Sequence, residues 1–277
     1  MDATLLTDAG RPVLRFERAL DHPVDKVWRA VTEPDHLARW FPATVTGDRD
    51  PGATLTFTFP EDAPGGTGTV TAYDPPRHFA FTWQGEQLAV TLTPSDTGTL
   101  LVFTHHFDDR AGAASFAAGW DTCLGALADT LDGLPVADRD WAAAHETYAA
   151  AFDLLRGTAE PDGHTWRVRF ERQLTAPADQ VTPRLPDLLG PGTHTESGYT
   201  AHPDPDQTVR VELRPGPGGA RLTLVHTGLP ETAVVPALIR WHTGIRALAA
   251  HLMGTTPGAP DADLESFYRH ATGAALP

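Results

Sequence analysis

The 277-residue chain has one cysteine, Cys123, one lysine, Lys26, and no apolar run approaching the span of a bilayer. A single thiol excludes an intrachain disulfide, so packing and hydrogen bonds must hold the fold together. A membrane-spanning helix needs about 20 consecutive apolar residues, and none of that length occurs. Basic residues are also scarce: 21 Lys and Arg stand against 36 Asp and Glu, a formal charge of −15. Such a surface repels phosphate backbones and anionic lipid, so neither nucleic acid nor membrane is an expected partner. The first twelve residues carry two acids and no apolar stretch, which is unlike a secretory signal. A cytoplasmic protein is the expectation.

What is present is patterned. From Ala113 to Gly133, Phe116, Trp120, Leu124, Leu127 and Leu131 recur every three or four residues, with Ser115, Asp121, Thr122, Asp129 and Asp132 opposite. That spacing predicts one long amphipathic helix. Before it, Val13–Leu20 alternates as a strand, and Pro23 opens a short helix carrying Val27, Trp28 and Val31. Pro34 opens a second short helix with Leu37, Trp40 and Phe41. Further alternating segments follow around Leu55–Phe59, Val70–Tyr73, Phe79–Trp83, Leu88–Leu92 and Leu101–His105, with Gly65-Gly66 as a turn. The expected order is a strand, two short helices, these further strands and the long helix: an α+β unit whose antiparallel sheet curves around the terminal helix.

The pattern returns. Arg15–Val27 aligns with Arg169–Val181 at an offset of 154, with eight of thirteen residues identical. His105 and Trp120 align with His226 and Trp241 at an offset of 121, so the second stretch is shorter by 33 residues. Repetition on this scale predicts a duplicated domain rather than a solenoid. The expected division is a complete domain over 11–134, a helical linker over 135–160, a reduced second domain over 161–256 and a helical tail over 257–277. The missing part is expected to be the second short helix and the Leu55–Tyr73 strand pair. The reduced half is expected to hold no comparable cavity and to depend on the first half for cover.

The motifs Phe16-Glu-Arg, Asp21-His-Pro-Val-Asp-Lys-Val-Trp28 and Thr32-Glu-Pro-Asp-His-Leu-Ala-Arg-Trp40 resemble the SRPBCC (START/Bet v 1-like) superfamily. Within it they are similar to homologues of the activator of heat-shock protein 90 ATPase. Leu101-Val-Phe-Thr-His105 and Gly119-Trp120 extend the resemblance, well over Arg11–Gly133 and partially over Trp166–Gly254. It implies a helix-grip fold with a hydrophobic cavity between sheet and long helix. Relatives include lipid and polyketide carriers, aromatase/cyclases, self-resistance proteins and chaperone partners.

The function read from this is binding of a small hydrophobic or aromatic molecule in the first domain, with a chaperone as an alternative partner. The expected lining is Trp40, Phe57, Phe81, Trp83, His105, Phe116 and Trp120. These residues equally suit a packed core, and the recurrence of His105 as His226 favours a hydrogen-bonded structural histidine. Arg18 is expected to answer a carboxylate near Glu33 or Asp35. An enzyme of the cyclase or hydrolase type, with His105, Arg18 or Glu86 moving protons, is the rival reading. No catalytic set can be assembled by spacing. No cofactor or metal is expected: His105-His106 point to opposite faces of a strand, and neither HExxH nor paired CxxC occurs. Cys123 reads as a core filler.

Overall fold

The computed structural model describes residues 3–60, 64–258 and 262–272. It comprises two compact units, one ending at Ala144 and the other beginning at His145. The first unit runs β1 (Ala3–Asp8), β2 (Arg11–Leu20), α1 (Val24–Thr32), α2 (Pro34–Leu37), β3 (Thr44–Thr46), β4 (Thr54–Thr58), β5 (Pro64–Asp74), β6 (His78–Trp83), β7 (Glu86–Ser95), β8 (Gly98–His106) and α3 (Ala113–Leu131). Its strands form one antiparallel sheet in the order β1-β2-β8-β7-β6-β5-β4-β3. This is the α+β helix-grip arrangement.

Helix α3 buries Trp120, Leu124, Leu127 and Leu131, as their spacing predicts. Its solvent face is narrower than the sequence pattern indicates. Ser115 is buried, as are Ala113, Ala114, Ala117 and Ala118. These small side chains let the helix backbone lie close to the rest of the unit. The single lysine has a defined task here: Lys26 Nζ donates to the Leu131 carbonyl at 2.6 Å, satisfying an end-of-helix acceptor where the helix dipole favours a cation.

Two local expectations are corrected. A strand, β1, precedes β2 through the two-residue turn Ala9-Gly10, whose positive φ values of 47° and 84° suit a tight hairpin. The stretch Gly65–Gly68 belongs to strand β5 rather than to a turn. At Gly68 a Cβ would lie 1.7 Å from the Thr82 carbonyl oxygen, so the residue is glycine because of a close backbone approach.

Helix α4 (Trp141–Ala151) runs across the division between the units. The second unit continues with β9 (Thr158–Asp162), β10 (Thr165–Gln173), α5 (Ala178–Val181), α6 (Leu185–Leu189), β11 (Gly192–Thr195), β12 (Gly198–Ala201), β13 (Thr208–Gly216), β14 (Gly219–Leu229), α7 (Val234–Leu252) and α8 (Leu264–Ala271). Read from its β9 edge, the sheet order is β9-β10-β14-β13-β12-β11, which follows β1-β2-β8-β7-β6-β5 strand for strand. What has no counterpart among the described residues is therefore the edge pair β3–β4. That agrees with the expected Leu55–Tyr73 pair at β4 but not at β5, which has β11 as its counterpart, and a second short helix, α6, is present. The deficit was misplaced because both edge strands are short and β3, with only Val45 buried, carries no alternation to read.

The core of the second unit gathers Val168, Phe170, Val211, Leu224, Trp241 and Tyr268, with α8 supplying the last. The Tyr268 hydroxyl takes the backbone N–H of Gly157 at 3.1 Å and meets His242 Nδ1 at 3.0 Å, tying the tail to the start of β9 and to α7. Residues 259–261 and 273–277 of the expected tail lie outside the described residues. No described helix is long and apolar enough to cross a membrane.

Candidate functional site

The site begins at a turn. Strands β6 and β7 are joined by Gln84-Gly85, with φ values of 52° and 87°, the left-handed pair that a two-residue hairpin requires. The turn sets Trp83 directly opposite Glu86. Because side chains alternate, Glu86 lies in phase with the buried Leu88 and Val90. An acid thus ends an otherwise apolar inward stripe. On the neighbouring strand β8, His105 continues the inward phase of Leu101 and Phe103, and Trp120 reaches it from α3.

These three side chains form a chain of hydrogen bonds. Trp120 Nε1 donates to His105 Nδ1 at 3.1 Å, and His105 Nε2 lies 2.7 Å from Glu86 Oε2. An indole N–H can only donate, so Nδ1 must carry the lone pair and Nε2 the proton. His105 is then a neutral bridge with both nitrogens committed, and only 3% of its side chain is exposed. Glu86 is different, with 32% of its side chain exposed. Its Oε1 has no hydrogen-bond partner among the described residues.

A cavity of about 260 Å³ lies in front of this chain, between the sheet and α3. The sheet contributes Trp83, Gln84, Glu86, Leu88 and His105, and the helix contributes Ser115, Phe116, Gly119, Trp120 and Cys123. Pro42 and Phe59 complete the rim. Neither lysine nor arginine is among these residues. A Cβ added at Gly119 would meet nothing within 4 Å, so this glycine keeps part of the space open.

Four of the seven expected lining residues, Trp83, His105, Phe116 and Trp120, are at the cavity. Trp40, Phe57 and Phe81 are not. They pack with Phe41, whose ring lies 5.6 Å from Trp40, 6.3 Å from Phe57 and Phe81, 5.5 Å from Trp83 and 5.6 Å from Trp120. Trp40 Nε1 is spent on the Ala30 carbonyl at 2.9 Å. Phe41 follows α2 and fills the middle of the unit, so the open space is confined to one end. Sequence reasoning missed Pro42, Phe59, Gln84, Leu88, Ser115, Gly119 and Cys123 as lining. For Glu86 the signal was available, since its phase with Leu88 and Val90 is readable by eye.

The remaining candidate chemistry is accounted for elsewhere. Arg18 bonds Asp121 on α3 at 2.5 Å, not Glu33 or Asp35. Burial pushes the Cys123 thiol up to about 12, so it stays protonated at neutral pH and is a poor nucleophile. No cluster of three metal-ligating side chains occurs among the described residues.

Residues 21–132 match the family model of the activator of Hsp90 ATPase homolog 1-like proteins. That stretch of the first unit is similar to this family. The match holds α1, the sheet from β3 to β8 and α3, and with them every residue of the cavity wall. No curated protein matches the chain. Among solved structures, a conserved protein of unknown function from Enterococcus faecalis is similar at 20% identity, covering 55% of this chain and 90% of that one, with a TM-score of 0.49. CalU16 from Micromonospora echinospora is similar at 22% identity, covering 55% and 93%, with a TM-score of 0.45. A Bordetella parapertussis protein is similar at 28% identity, covering 53% and 86%, with a TM-score of 0.42.

The second unit offers an internal comparison. Trp241 Nε1 donates to His226 Nδ1 at 3.1 Å, and His226 Nε2 meets Gln207 Oε1 at 3.0 Å. The sequence separations are the same as in the first unit, 15 and 19 residues. The Trp–His bond is therefore a strand-to-helix fastening used in both units. What differs is the third member, a carboxylate in one and an amide in the other, and the residue before the tryptophan, Gly119 against Arg240. The Arg240 guanidinium lies 4.5 Å from the Trp241 ring centroid.

Burial, reinforced by the Arg240 charge and opposed by Asp204, holds His226 down at about 4. Its ordinary value is 6.5, so the unfolded chain binds the proton first. Stability is thus complete above about 6.5 and falls as pH drops toward 4, by about 1–2 kcal/mol once solvent screening is allowed for. The expected result is an NMR titration of the His226 ring with a midpoint near 4. A midpoint near 6.5 would show that burial and the Arg240 charge do not hold the ring neutral.

Proposed function

We propose that the first unit binds a small, largely apolar molecule in the cavity between its sheet and α3. The observation that carries this reading is the cavity itself: apolar walls, a few convergent polar groups and a volume suited to a small ligand, on the inner side of a helix-grip sheet. Similarity to the activator-homologue family supports a binding module rather than a particular reaction. The committed histidine and the protonated cysteine supply no activated nucleophile or free base, which favours binding over catalysis.

Gly119→Leu tests the proposal. The new side chain enters open space, and leucine is a better helix former than glycine by several tenths of a kcal/mol. The variant should therefore fold as well as the parent while filling the cavity. Titrated with the neutral probe 1-naphthylmethanol in a calorimeter, the parent should bind and the variant should bind at least tenfold more weakly. Equal binding by both would remove the reading. A role carried on the surface, such as docking to a chaperone, would be indifferent to Gly119→Leu.

A further inference from the structure

Resting on the cavity reading above, we propose that the ligand is an organic cation: a protonated amine on a flat apolar body. Four observations converge. Among the described residues, Glu86 is the acidic member of the cavity wall, and no lysine or arginine shares that wall to neutralise it. Its Oε2 is engaged by His105, which is neutral as long as Trp120 donates to Nδ1. The partner of Glu86 is thus a dipole and not a counter-charge, and Oε1 remains without a partner among the described residues.

The second observation is a hydroxyl. Ser115 belongs to the same wall, is 5% exposed, and its buried Oγ has no hydrogen-bond partner among the described residues. A buried polar atom left unpaired is costly, and a ligand N–H donor is one group that could satisfy it. Third, the wall carries the aromatic rings of Trp83, Phe116 and Trp120. Ring faces attract cations as well as apolar surface. An anion would meet both those faces and a carboxylate.

The fourth observation is the second unit, where the same fastening is surrounded by the opposite solution. Gln207 stands where Glu86 does, so the third member of the chain is uncharged. Arg240 stands where Gly119 does and lays its own guanidinium over Trp241. The second unit thus provides a cation from within its chain and has no carboxylate at this point. The first unit has the carboxylate, leaves the glycine position empty and lacks the cation. An organic cation from solution completes it.

The test compares three probes of nearly one shape on the full-length protein: 1-naphthylmethylamine, 1-naphthylmethanol and 1-naphthoate, by calorimetry at neutral pH. The amine should bind at least tenfold tighter than the alcohol, and the carboxylate should not bind measurably. Glu86→Gln should remove the amine's advantage, so that amine and alcohol bind that variant with affinities within about twofold of each other. That variant should fold, since Gln207 already fills the equivalent place and accepts from its histidine. If the alcohol binds as tightly as the amine, or if Glu86→Gln leaves the preference intact, the cation claim is overturned and the cavity reading stands. If no probe binds, or binding survives Gly119→Leu, both fall together.

Discussion

Replacing Trp241 by alanine is expected to cost the second unit about 3–5 kcal/mol, the range for deleting a large buried ring. Trp241 is 1% exposed and sits within the continuous core of that unit. Two losses combine. The ring leaves a void that the surrounding Val, Leu and Tyr side chains cannot close, and His226 Nδ1 loses its donor in a buried site. Since a typical domain has a margin of about 5–15 kcal/mol, the variant should retain little of its stability. Trp120→Ala should fall at the lower end of the range, because that ring already borders a cavity and fewer of its contacts are lost. Trp241→Phe separates the terms: it keeps most of the ring and should cost about 1–2 kcal/mol for the missing N–H. Urea unfolding of the intact chain measures all three. A cost below about 1 kcal/mol for Trp241→Ala would show that the tryptophan is not the fastening described here.

Glu146→Ala is expected to have an effect of the same size, for an electrostatic reason. Arg172 on β10 is 3% exposed at its side chain, and its Nη2 bonds Glu146 Oε1 of α4 at 2.5 Å. Its Nη1 donates to the Gln173 carbonyl, while the buried Nε has no partner among the described residues. Removing the carboxylate leaves a guanidinium charge in the interior with little to answer it. Breaking one side of such a pair typically costs about 3–5 kcal/mol. Replacing both at once, Glu146→Gln with Arg172→Met, should recover most of the loss, because an apolar replacement of a buried pair is often neutral or better.

The same pair has a pH signature. Burial alone would raise the Glu146 carboxyl, but the hydrogen bond with His145 and the Arg172 charge outweigh it and hold the group below its ordinary 4.5. The folded state therefore keeps this carboxylate ionised to lower pH than the unfolded chain does. The stability is present above about 4.5 and is lost as pH falls through the depressed value. The double variant should lose that acid dependence, and an unchanged acid limb would overturn the assignment.

Much of this architecture was legible because it rests on local periodicity. A spacing of three to four residues placed Trp120, Leu124, Leu127 and Leu131 on the buried side of α3. A spacing of two placed His105 beside Leu101 and Phe103, and it placed Glu86 beside Leu88, whatever the rest of the chain did. The recurrence of His105 and Trp120 as His226 and Trp241 marked equivalent positions and a structural histidine in both units. Those features follow from backbone geometry, which a short segment carries by itself.

Other features belong to segments that meet only in space. Phase shows that Phe57, Phe81 and Trp83 point inward, but not that Phe41 arrives from α2 to pack on all three, leaving only Trp83 beside open volume. Arg18 needed an acid, yet the choice of Asp121 over Glu33 or Asp35 depends on how α3 crosses the sheet. Gly68 and Gly119 look alike in sequence: one is glycine because the Thr82 carbonyl leaves no room, whereas the other faces room left unused. Whether an inward side chain fills a core or borders a cavity is a balance of volumes from distant parts of the chain. That balance exists only once the tertiary structure has brought them together.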